Sequence, residues 1–126
     1  MSWQGYVDNL VGNKAAVSKA AFIGLDGSIW AKSTDLNLSG DEAKKLVDTF
    51  SNPSLGFQNG FMIEGKKHMC IRASPEDVVG KLGTSGFSAY KTNQCVILGY
   101  YVEPATPGNC EVAVGKYADY LKGSGY

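Results

Sequence analysis

The sequence predicts an α/β (α+β) sandwich around a central antiparallel sheet, and three observations predict it. Apolar residues recur at helical spacing at both ends of the chain and once between Ser39 and Phe50. From Phe61 to Val102 the pattern changes to a period of two, or to short apolar runs broken by glycine. There is no βαβ alternation and no internal repeat, which removes the parallel α/β folds and the solenoids.

Ser2 is a candidate N-cap for the first helix, in which Val7, Leu10 and Val11 share a face and Trp3 and Tyr6 stand one turn apart beside it. Gly12-Asn13 ends that helix. Residues 20–23 read as a strand, Asp26-Gly27 as a hairpin turn and residues 28–33 as the return strand. On the return strand Trp30 shares a face with Ser28 and Lys32, while Ile29 and Ala31 point the other way. Ser39-x-x-Glu42 is a capping box for a helix whose inner face is Ala43, Leu46, Val47 and Phe50, and Asn52-Pro53 stops it.

Phe61 and Ile63 then alternate with Met62 and Glu64, and Gly65-Lys66 turns the chain. Met69 and Ile71 alternate with His68, Cys70 and Arg72, as expected of a hairpin with one wet face. Short strands follow around Val78-Val79 and residues 87–90. Residues 94–102 are apolar almost throughout, the mark of a central strand buried on both faces. After breaks at Glu103-Pro104 and Pro107-Gly108, a last helix gathers Cys110, Ala113, Val114, Tyr117, Ala118 and Leu121 on one face, and Gly123 and Gly125 end it.

A chain of 126 residues suits a single domain over residues 1–126 that can bury a core unaided. Twelve basic and twelve acidic side chains argue against bulk attraction to nucleic acid. No apolar run approaches the ~18–20 residues that cross a bilayer, and the opening residues lack the basic and apolar regions of a signal peptide. The expectation is a cytoplasmic monomer without a transmembrane segment. Cys70, Cys95 and Cys110 lack the CxxC step of zinc and redox sites, so they read as free thiols, with no metal and no cofactor.

Catalytic chemistry finds little footing. His68 is the one histidine, and Cys70 lies two residues along the same strand face, so a thiol–imidazole pair is conceivable. Side chains at i and i+2 run parallel, however, and no third group is placed to orient the ring. No catalytic residue is assigned, and a thiol enzyme is the least favoured reading. Gly80-Lys81-Leu82-Gly83 is not a phosphate loop, because that loop needs Ser or Thr directly after the lysine. Glu76-Asp77 are adjacent residues, which seldom converge on one substrate.

The aromatic residues are more telling. Trp3 and Tyr6 lie near one end of the chain, Tyr120 and Tyr126 near the other, and Trp30 on the return strand. Either these rings cap a small core, or the terminal helices lie side by side over Trp30 and leave an exposed groove. Such grooves hold polyproline II segments, with rings stacked on proline faces and Trp N–H and Tyr O–H donating to carbonyls. Between residues 66 and 91, Lys66, Lys67, Arg72, Lys81 and Lys91 face only Glu76 and Asp77, a surplus of 5 − 2 = +3. That is either a solvated strand face or a patch for an acidic partner.

Four stretches carry a family resemblance: Met1-Ser2-Trp3-Gln4-x-Tyr6-Val7-Asp8, Asp26-Gly27-x-x-Trp30-Ala31, Glu103-Pro104-x-Thr106-Pro107-Gly108-x-Cys110 and Ala118-Asp119-Tyr120-Leu121. In this order and length the chain resembles the profilins, with the third stretch similar to their plant and amoeboid branch. The resemblance implies terminal helices on one face of the sheet and short helices on the other. It implies a non-enzymatic, cytoskeleton-associated protein that binds monomeric actin, proline-rich nucleation and elongation factors, and phosphatidylinositol 4,5-bisphosphate. By position it assigns polyproline binding to Trp3, Tyr6, Trp30, Tyr120 and Tyr126, while Leu121 belongs either to the groove or to the core. It assigns actin binding to Lys67, Cys70, Arg72, Lys81, Gly108, Glu111 and Lys116. Phosphoinositide binding falls to Lys66, Lys67, Arg72, Lys81 and Lys91, in competition with actin. A proline-binding module with little actin affinity is the main alternative.

Overall fold

The computed structural model describes residues 2–12 and 16–126. The chain runs α1 (Trp3–Val11), β1 (Lys19–Gly24), β2 (Ile29–Lys32), α2 (Gly40–Ser51), α3 (Ser54–Asn59), β3 (Phe61–Ile63), β4 (Lys66–Ala73), β5 (Asp77–Leu82), β6 (Ser85–Lys91), β7 (Cys95–Tyr101) and α4 (Pro107–Gly123). The strands form one sheet in the order β2-β1-β7-β6-β5-β4-β3, antiparallel at every pairing. The early hairpin therefore closes onto the last strand, with Lys19 opposite Tyr100 and Gly24 opposite Cys95.

Side-chain caps fix the helix starts. The Ser2 hydroxyl accepts from the Gly5 N–H, and Ser39 and Glu42 close the capping box reciprocally. Thr106 accepts from the Asn109 N–H ahead of Pro107, the first residue of α4. Asn13, expected at the end of α1, lies outside the described residues.

Each sheet face carries its own core. Ile23, Phe87 and Leu98 pack with Leu46 and Phe50 of α2, while Phe22, Ile97 and Tyr101 pack with Val7 and Leu10 of α1 and Val114 and Leu121 of α4. Every residue of β7 is buried, as its continuous apolar run predicts. The α4 helix rides directly on this strand at Gly99, where a Cβ would lie 2.4 Å from Val114 Cγ2.

Strand β4 departs from its alternation. Its apolar Met69 and Ile71 are 64% and 50% exposed, whereas His68 is fully buried. Register explains the inversion: His68 pairs with Phe61 and so faces the α2 side, where its ring nitrogens find Lys66 O at 2.9 Å and Tyr100 Oη at 2.7 Å. A bulge follows, since Cys70 opposes Gly80 but Arg72 opposes Val79. Cys70 and Arg72, face-mates in a regular strand, thus point to opposite sides of the sheet. Helix α3 accords with the short helices that the resemblance implies, but periodicity does not locate it, because its six residues, SLGFQN, are too few to show an apolar stripe.

Candidate functional site

Helices α1 and α4 lie over the same sheet face and bring the five predicted rings together. Trp3 is the hub: its ring centroid is 4.7 Å from Trp30, 5.3 Å from Tyr126, 5.4 Å from Tyr6 and 5.6 Å from Phe22. Tyr6 continues the cluster to Tyr120 at 6.2 Å. Three of these pairs are edge-on, the arrangement that ring quadrupoles favour, and the other two are tilted. Trp3, Tyr6 and Trp30 are half-buried, while Tyr120 and Tyr126 are exposed, so the rings expose a surface as well as pack. Leu121 is fully buried and belongs to the core.

Tyr117 is the groove residue that periodicity assigned to the core. It is half-buried, meets Tyr6 at 5.7 Å and Tyr120 at 5.9 Å, and lines a concavity of about 280 Å³ with Tyr6, Asn9, Lys116 and Tyr120. Its i, i+3 spacing to Tyr120 was the available signal. Lys116, assigned by resemblance to the actin surface, stands beside these rings. A hydrogen bond with Tyr120, together with burial, holds the Tyr6 phenol above its ordinary value, and burial does the same for Tyr117. Both hydroxyls stay protonated at neutral pH, as a phenol of ordinary or raised pKa does.

A second surface lies on the exposed part of β4 and β5 and the start of α4. Register puts Lys81 opposite Met69, and both lysines, Lys67 and Lys81, line a broad depression with Phe57, Met69 and Leu82. Arg72 is committed elsewhere: it donates to the Asp77 and Glu111 carboxylates, which raise its pKa, Glu111 foremost. Tyr90 donates to the same Glu111 at 3.3 Å. Gly108 is exposed at the first turn of α4.

The five basic residues do not form one cluster. Lys66 shares the alternating face of His68 rather than that of Lys67. Lys91 sits five residues along β6 from Gly86, the partner of Lys81, a separation of about 17 Å at strand rise. Arg72 is neutralised by its two carboxylates. The surplus counted along the sequence is thus concentrated, for one ligand, in Lys67 and Lys81.

Cys70 reaches the same depression from the other face of β4. It lies half-buried under α3, where a Cβ at Gly56 would be 3.3 Å from its sulfur, and burial pushes its thiol up. His68 offers it no base, since a carbonyl can only accept and so Nδ1 carries the proton toward Lys66, leaving Nε2 to accept from Tyr100. Burial likewise raises Cys95 and takes Cys110 to about 12. Among the described residues no group of three His, Cys, Asp or Glu side chains could hold a metal ion.

Burial also lowers the His68 pKa below its ordinary 6.5. The folded ring stays neutral where the unfolded one protonates, so the unfolded state binds more protons below that pH. Stability should therefore be insensitive to His68 above pH 7, fall as pH drops through 6.5, and level off below the depressed value. Urea midpoints at pH 7.5 and 5.5 should show the fall in wild type and a smaller one in His68→Gln; equal falls would remove His68 as its cause.

The comparisons with known proteins agree along the whole chain. The profilin family profile matches residues 1–126. Profilin-A of Physarum polycephalum is 39% identical over 126 residues, covering all of both chains. The crystal structure of Acanthamoeba castellanii profilin II superposes with a TM-score of 0.94 at 38% identity, over 99% of this chain and 100% of that one. Mouse profilin IIa, solved in complex with a double repeat from the FH1 domain of mDia1, shares the fold with a TM-score of 0.79 at 22% identity over the full length of both chains. With matches of this extent, the chain belongs to the profilin family.

Proposed function

We propose that the chain is a non-catalytic adaptor that regulates actin polymerisation: it binds monomeric actin on the β4–β5 face and the start of α4, and proline-rich segments in the α1–α4 groove. The observation that carries this reading is the convergence of rings from α1, β2 and α4 around Trp3, partly open to solvent. Polyproline II segments present flat ring faces and unpaired carbonyls, which such a surface matches with stacking and with indole and phenol donors. On the other surface, exposed Met69 and Ile71 supply apolar area that sequence alternation had placed inside, with Lys67 and Lys81 beside them. Gly108, Glu111 and Arg72 extend it toward α4. Measuring actin-monomer and poly-L-proline binding in parallel tests the reading. Proline binding without actin binding would instead favour a signalling module.

The two surfaces sit toward opposite ends of α4. Glu111 and Tyr120 are nine residues apart, about 14 Å along a helix. That separation supports simultaneous binding of both ligands. No helix of the described residues is long and apolar enough to cross a membrane, and the proposed setting is the cytoplasm, as a monomer.

Phosphatidylinositol 4,5-bisphosphate is proposed to compete with actin for Lys67 and Lys81, each worth about 1 kcal/mol near an anionic surface. Lys66, Arg72 and Lys91 contribute less, given their placement. Vesicles containing this lipid should co-sediment the protein and release it on addition of actin monomers, whereas vesicles with phosphatidylserine alone should bind poorly. Lipid and actin bound together without mutual weakening would refute the overlap.

A further inference from the structure

One wall of the aromatic groove is held from outside it. Helix α4 ends in a Schellman pattern: the Gly125 N–H donates to Lys122 O at 3.2 Å and the Tyr126 N–H to Leu121 O at 2.8 Å. Gly125 takes φ +92°, a left-handed value that suits glycine, and this turns the chain back toward the loop between β6 and β7. There the backbone oxygen of Tyr126 accepts from the Gln94 N–H at 2.6 Å and from the Thr92 hydroxyl at 2.8 Å. The Gln94 side-chain amide donates to Gly125 O at 3.2 Å.

Thr92 is a buried polar residue whose hydroxyl also accepts from the Cys95 N–H at 3.2 Å, so the loop that holds Tyr126 is itself anchored. The consequence appears at the ring. Tyr126 meets Trp3 edge-on, with the planes at 88° and the centroids 5.3 Å apart, while remaining 41% exposed. Trp3 is its one aromatic contact among the described residues, and the hydrogen bonds to Tyr126 O fix the backbone from which the ring reaches it.

We infer that Thr92, Gln94 and Gly125 form a latch that positions Tyr126 against Trp3, and that these residues, none of them in the groove, are positioning residues for proline-rich ligands. The inference rests on the groove assignment proposed above. Ligand binding to an unlatched Tyr126 would have to order that segment at its own cost, whereas the latch places the cost in folding. Thr92 is the central element, since its one hydroxyl links Cys95 of the sheet to Tyr126.

A double-mutant cycle separates positioning from general stability. Poly-L-proline binding is titrated, through tryptophan emission, for wild type, Thr92→Val, Thr92→Ser and Gly125→Ala, each with and without Tyr126→Ala. Thr92→Val should weaken binding about fivefold, the scale of one hydrogen bond, and Thr92→Ser should restore it. Gly125→Ala should weaken it about threefold through the same displacement. Its position is open, with nothing within 4 Å of an added Cβ, so it serves even where Thr92→Val does not fold. In the Tyr126→Ala background neither change should weaken binding further. Equal losses with and without the Tyr126 ring, or no loss in Thr92→Val and Gly125→Ala, would overturn the latch while Trp3→Ala still weakened binding strongly. If wild type does not bind poly-L-proline, the groove assignment falls and the latch falls with it.

Discussion

Trp3→Ala is expected to lower affinity for proline-rich peptides by about 30-fold or more, the roughly 2 kcal/mol that an interface tryptophan anchor contributes. The geometry explains why this ring should matter most. It touches Trp30, Tyr126, Tyr6 and Phe22, so its removal takes away ligand contact and also the packing that holds the neighbouring rings apart. Tyr126 loses its edge-on partner and Trp30 its cover. Trp3→Phe should recover part of the loss, because a ring remains while the indole N–H donor does not. Actin affinity should hold, since the β4–β5 face lies toward the other end of α4. Isothermal titration with poly-L-proline, beside urea unfolding to verify the fold, provides the measurement. A folded Trp3→Ala protein with wild-type proline affinity would dispose of the groove.

The groove was legible because its parts are local signals. Ser2 caps α1, Trp3 and Tyr6 fall one turn apart, and the hairpin at Asp26-Gly27 delivers Trp30. What brings them together is the pairing of β1 with β7, which seats the two terminal helices on one sheet face, and that is a long-range fact. Tyr117 was missed for a related reason. A residue on the apolar stripe of a helix reads as core, yet here the stripe overhangs the neighbouring helix and leaves the ring half open.

The second surface was harder to read, and β4 shows why. Alternation gives a strand two faces but not their assignment, and apolar Met69 and Ile71 invite the inner one. Burial of His68 reverses that choice because Tyr100 and the Lys66 carbonyl satisfy both of its nitrogens. The bulge after Cys70 then breaks the parity, sending Arg72 toward α4. There it meets Glu111, 39 residues further along the chain, a pairing no local pattern announces. Summing charges between residues 66 and 91 counted Arg72 as free and could not see either carboxylate reaching it.

That pairing selects the substitution for the actin surface. Lys67→Glu/Lys81→Glu is expected to lower actin-monomer affinity about 100-fold, near 3 kcal/mol, if the face meets acidic groups on actin. Arg72→Glu would be a poor probe, since it would set a third carboxylate beside Asp77 and Glu111 and disturb the strand itself. Lys67 and Lys81 have no ion-pair partner among the described residues, so their reversal breaks no internal contact of that kind. They flank the exposed Met69 in one depression, where a docked partner would exclude water and strengthen both charges. Raising the salt should weaken the wild-type complex moderately and strengthen that of the double variant, since screening over ~8–10 Å acts on attraction in the one and on repulsion in the other. Poly-L-proline affinity should be unchanged in both. Wild-type actin affinity in Lys67→Glu/Lys81→Glu would mean that these lysines face only solvent, and the actin contact would then have to be sought on the α4 side, around Gly108 and Glu111.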